Sequence, residues 1–122
     1  MIILNTTNNG QDEFVESLPD GNEYILRTTY VCGITSGWLL DIYNIDNEPI
    51  LLGIRCVCGA DLFRGQANRL NGMKCYCCVV YNGSERSSDA LGSTLFICIQ
   101  SKDEDDLVEY QDRFDALQFV NS

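Results

Sequence analysis

The sequence of 122 residues contains no histidine. That absence removes the commonest general base, the commonest metal ligand and every Ser-His or Cys-His nucleophile pair. Basic residues are few: 8 Lys and Arg stand against 18 Asp and Glu, a formal charge of −10. Such a surface repels phosphate, which argues against a reader of nucleic-acid sequence. No apolar run approaches the length of a membrane span, so no membrane partner is expected. Residues 1–20 have neither the basic start nor the apolar stretch of a signal peptide, and the expectation is a chain made in the cytoplasm. The glycines follow no Walker or dinucleotide spacing. Together these gaps point away from an enzyme and away from a bound cofactor.

What is present is a globular composition, 45% hydrophobic and 21% charged. The length suits one modest core. Seven cysteines stand out: Cys32, Cys56, Cys58, Cys75, Cys77, Cys78 and Cys98. An odd count without a signal peptide argues against a secreted disulfide framework. In extended strands, Cys56 with Cys58 and Cys75 with Cys77 form two same-face pairs. If those strands were neighbours, the four thiols would meet at one metal. The plainer reading treats them as small buried hydrophobes, because a flat sheet resists tetrahedral convergence. A small cysteine-rich metal-binding module is therefore the alternative reading, with Cys56, Cys58, Cys75 and Cys77 as its ligands.

Alternation with period two runs from residue 22 to 100. Residues 23–32 put Tyr24, Leu26, Thr28 and Tyr30 on one face. The turn signal Asp20-Gly21-Asn22 joins this stretch to a strand over 13–18. Residues 38–44 place Trp38, Leu40 and Ile42 on one side, with Leu39, Asp41 and Tyr43 on the other. After the polar connection 45–48 and Pro49, residues 50–58 run back, with Ile50, Leu52, Ile54 and Cys56 expected inward. Residues 59–71 break the pattern; Asp61 caps a short helical turn near 60–65, docked by Leu62, Phe63 and Leu70. Strands at 73–81 and 93–100 follow, separated by a polar loop over 82–92. The predicted fold is all-β, a small antiparallel β-barrel or sandwich of six to seven strands.

Composition changes after residue 102. The cluster Asp103-Glu104-Asp105-Asp106 lacks the spaced ligands and central glycine of an EF-hand and reads as a helix start. Leu107, Val108, Tyr110, Phe114, Leu117 and Val120 then recur near helical spacing. This gives a β-domain over 1–102 and an acidic, amphipathic appendage over 103–122. No carboxylate pair is singled out as an acid/base dyad. Asp41, set in an apolar strand, is expected to face solvent beside Tyr43 and to pair with Arg55. Ser84, Ser87 and Ser88 have no base partner.

Residues 38–64 read WLLDIYNIDNEPILLGIRCVCGADLFR. An aromatic residue precedes L-D-I-Y (Trp38 to Tyr43). A polar turn ends at Pro49. Then come L-x-G-I-R (Leu51 to Arg55) and V-x-G-x-D-L-F-R (Val57 to Arg64). In order and spacing this resembles the cyanophage baseplate plug family, small tail proteins of contractile-tailed bacteriophages. The segment 20–30 and Leu91-Gly92-Ser93 also fit, so the resemblance spans roughly residues 14–100. Cys58 departs from it, standing where the family pattern often has Pro, and residues 101–122 lie outside it.

The resemblance implies a structural virion protein of the baseplate, assembled in the host cytoplasm. It would close or line the channel between spike, hub and tail tube. Implied partners are hub, spike and tube-proximal subunits, with three copies around the tail axis. Trp38, Tyr43, Arg55, Asp61, Leu62, Phe63 and Arg64 are the expected interface or core residues, with Tyr30, Tyr81 and Phe96 as further aromatic anchors. A tail-tip enzyme accessory and a non-phage adaptor are the rival roles.

Overall fold

The computed structural model describes residues 2–33, 36–80 and 86–102. Among them seven strands form two antiparallel sheets. The larger runs in the order β2 (Gln11–Ser17), β3 (Glu23–Val31), β4 (Gly37–Asn44), β5 (Pro49–Arg55). The smaller runs β1 (Ile2–Ile3), β7 (Leu95–Gln100), β6 (Lys74–Val79). The sheets do not close on each other, so the fold is sandwich-like rather than a barrel. Tyr81 and the expected amphipathic appendage over 103–122 lie outside the described residues.

Alternation sets the inner faces. Tyr24, Leu26 and Thr28 of β3 and Trp38, Leu40 and Ile42 of β4 are buried on the large sheet. Cys75 and Cys77 of β6 and Leu95, Ile97 and Ile99 of β7 meet them from the small sheet. Each large apolar side chain enclosed there contributes roughly 1.5–3 kcal/mol. The small sheet is too narrow to cover the large one alone. Phe63, Leu70 and Met73 from the segment between β5 and β6, and Ala90 and Leu91 before β7, complete the core. Cys78, Val80 and Cys98, with Tyr76 and Phe96, form a second buried cluster on the other face of β6 and β7.

Trp38 is the centre of this arrangement. It is fully buried. Its indole Nε1 donates to the Ser87 carbonyl at 3.0 Å, and Tyr30 packs on it with ring centroids 5.3 Å apart. The Tyr30 hydroxyl donates to the Arg86 carbonyl at 2.9 Å. The described part of the 82–92 loop is thus tied across the core tryptophan. Behind that loop Gly92 is required: its φ is +83°, and a Cβ there would sit 2.3 Å from the Thr6 carbonyl oxygen.

At the β2–β3 turn, Asp20 accepts hydrogen bonds from the Tyr24 hydroxyl and from Asn71 Nδ2, so it links the first hairpin to the turn before β6. Burial, and then the Asp20 carboxylate, push the Tyr24 hydroxyl up to about 12.

Two expectations are corrected. The helical turn lies at Ala67–Leu70 rather than 60–65. Residues 61–66 form separate turns, Arg64 N–H to Asp61 C=O and Gln66 N–H to Phe63 C=O, with Gly65 at positive φ between them. The second concerns β5. Leu40 pairs with Ile54, Ile42 with Leu51 and Tyr43 with Pro49, so β5 carries one extra residue in each of these two steps. Gly53, at φ +68°, absorbs the first. The slip turns Leu51 inward and leaves Leu52 57% exposed, the reverse of simple alternation.

Trp38→Ala removes a fully enclosed ring and its tie to Ser87. We expect a loss of roughly 3–5 kcal/mol in chemical denaturation. A loss below about 1 kcal/mol would mean that the site collapses around the cavity or that the ring is not enclosed.

Candidate interface along strand β5

The large sheet ends at β5, and no described strand lies beyond it. Beside this edge runs an open groove of about 740 Å3 between β5 and the 61–69 segment. Ile50, Leu51, Ile54 and Leu62 give it an apolar lining, and Arg55 and Arg69 give it positive charge.

Local structure explains each position. The Asp41 carboxylate accepts the Gly53 N–H at 2.7 Å, which satisfies the backbone group displaced by the bulge. Asp41 therefore serves the bulge, a role alternation does not reveal. Directly across the ladder from Asp41 is Arg27, which pairs with Glu13 at 2.8 Å and lies 5.2 Å over the Tyr43 ring. Tyr43 thus belongs to the solvent face of the large sheet.

The Arg55 guanidinium donates to the Ser36 carbonyl at 2.8 Å. A Cβ on Gly37 would stand 3.1 Å from it, so the glycine makes room for the arginine. Asp61 Oδ1 accepts from Phe63 N–H and from Cys75 N–H, both at 3.0 Å. This carboxylate caps its turn and also anchors the segment to β6. Arg69 Nη1 lies 3.4 Å from the Ile50 carbonyl, so that carbonyl faces the groove.

Of the residues singled out from sequence, Arg55, Asp61 and Leu62 meet in this groove. Arg64 is exposed on the same segment, while Trp38 and Phe63 are fully buried beneath. Arg69 and Gly53 were missed. The signal for Gly53 was a glycine inside an apolar strand opposite an aspartate.

Cys75 and Cys77 share the inner face of β6, as alternation requires, but Cys56 and Cys58 do not form the second same-face pair. β5 stops at Arg55, so Cys56 is buried while Cys58 is exposed and bridges to Cys77 of β6. Cys75 and Cys78 stand at C-x-x-C spacing, yet the strand turns them to opposite faces. Among the described residues no three His, Cys, Asp or Glu side chains are arranged to hold a metal ion. Burial pushes the Cys75 thiol well up. A hydrogen bond with Cys56, and then burial, does the same for Cys77. Cys98 is raised by its contact with Cys78, whose sulfur is 4.0 Å away. Neutral thiols are poor nucleophiles and poor ligands.

The family model described as the cyanophage baseplate Pam3 plug gp18 matches residues 1–103, and the chain belongs to that family. No curated protein and no solved structure matches the chain. The matched stretch contains both sheets and the whole β5 groove. The family is one of structural baseplate proteins.

Cysteine labelling tests the described geometry. In the folded chain an alkylating reagent is expected to modify Cys32 and Cys58 rapidly and to spare Cys56, Cys75, Cys77, Cys78 and Cys98. Denaturation should release all five. Peptide mass spectrometry reads the pattern, and fast native labelling of Cys75 or Cys77 would contradict the core.

Proposed function

We propose that the chain is a plug subunit at the central axis of a phage tail baseplate, where it closes or lines the channel between spike, hub and tail tube. The observation that carries this reading is family membership over residues 1–103. On it, the protein is a virion component assembled in the host cytoplasm, in three copies around the axis, and it acts through contacts rather than catalysis. Its partners are the hub, spike and tube-proximal subunits.

The physical character of the chain supports the reading. A formal charge of −10 beside a DNA channel repels the polyanion, so passing DNA is not held. The groove along β5, with an apolar lining and charged rim, has the make-up of a subunit contact. Leu51 to Arg55 and Asp61 to Arg64, two of the stretches that resemble the plug family, flank that groove. Residues 103–122 form a separate acidic appendage on this reading, since the family match ends at 103.

The test is whether purified virions contain the chain and need it. Mass spectrometry of gradient-purified particles should find it at a small fixed ratio to the hub protein. Deleting its gene should leave particles without infectivity. Infectious virions lacking the chain would end the proposal.

A further inference from the structure

Among the described residues no strand lies beyond β2 or β5 in the large sheet, and these two edges differ in chemistry. The β2 edge is acidic, with Asp12, Glu13 and Glu16. The β5 edge borders the groove that holds Arg55 and Arg69; the one carboxylate among the groove's lining residues, Asp61, is bonded to the Phe63 and Cys75 amides. Each edge also exposes one large apolar side chain, Val15 at 55% and Leu52 at 57%.

No described strand pairs with the outer side of the β2 backbone. Leu18 N–H to Asn22 C=O and Tyr30 N–H to Gly10 C=O bracket the β2–β3 ladder. Alternation between these two bonds turns the N–H and C=O of Gln11, Glu13, Val15 and Ser17 away from β3. The Glu13 N–H is met there by the carboxylate of its own neighbour, Asp12, at 2.9 Å. On β5 the Ile50 carbonyl faces the groove, met only by the long 3.4 Å contact from Arg69.

Strand parity then decides the geometry. The sheet has four strands, each antiparallel to the next, so β5 runs opposite to β2. A second copy rotated about an axis along the strands brings its β2 antiparallel to β5 of the first. Repetition of that rotation closes a ring. Two β2 edges repel each other through their carboxylates, which disfavours the competing twofold pairing.

We propose that copies of this chain associate edge to edge, the acidic β2 of one copy seated in the β5 groove of the next. Val15 and Leu52 meet on the solvent face of the joined sheets, and Glu16, with Glu13 held by Arg27 of its own chain, lies against Arg69. The bulges of β5 interrupt a continuous ladder, so the contact combines a few main-chain hydrogen bonds with side-chain packing in the groove. This deepens the baseplate reading by naming the contact between copies, and rests on that reading only for its biological setting.

Sedimentation velocity on the full-length chain tests it. The parent chain should associate. Glu16→Lys and Arg69→Glu should each weaken association by about tenfold or more, and the two changes combined in one chain should restore it. Circular dichroism checks that each variant is folded. Leu52→Asp, at a side chain already out of the core, gives a second route to the same loss should Glu16→Lys not fold. A parent chain that stays monomeric at high concentration would overturn the inference, as would single variants that associate like the parent or a double variant no better than either. A monomeric chain that is nevertheless present in virions would overturn this contact while leaving the baseplate role standing. Ring formation by a chain absent from virions would do the reverse.

Discussion

Two sheets of unequal width have to cover each other. The four-stranded sheet presents the longer apolar face, and its partner contains one two-residue strand among its three. The mismatch explains much of the molecule. It draws Phe63, Leu70 and Met73 into the core from an irregular segment, because exposed core faces are costly. It places Ala90 and Leu91 under the loop that Trp38 and Tyr30 tie down. Among the described residues it also leaves β2 and β5 as the outer strands of the large sheet, the edges at which the proposed contact between copies lies.

The irregularity of β5 follows from the same packing. A regular strand would send Leu52 inward. The extra residue at Gly53 turns Leu51 to the core instead, and Asp41 satisfies the displaced amide. One bulge thereby seals the core at Leu51 and presents Leu52 and Arg55 along the groove. A carboxylate inside an apolar strand looks out of place in isolation. Paired with a glycine of positive φ on the next strand, it is a structural ligand for the backbone.

Much of this was legible in the sequence. The inner faces of β3 and β4 followed from alternation at Tyr24, Leu26, Trp38, Leu40 and Ile42, since one buried face fixes register. β5 was legible as a strand but not in its facing, because Ile50-Leu51-Leu52 is apolar at every position and carries no period. The two-residue β1 is too short to leave a pattern. Cys56 and Cys58 misled in the same way, their i and i+2 spacing implying a strand that ends earlier. The groove itself was invisible, because Arg69 reaches β5 across nineteen residues of chain. Chemistry alone gave no function in a histidine-free chain. The ordered motifs between Trp38 and Arg64 pointed to the family, and the match over residues 1–103 establishes it.

The central claim is that a structural plug meets its neighbours through the edges of its larger sheet. A reconstruction of the assembled baseplate with this chain traced tests that most directly. The account predicts the chain around the tail axis with the β5 groove buried beneath the β2 strand of an adjacent copy. A traced chain whose β5 groove faces open solvent, with its contacts made elsewhere on the surface, would contradict it.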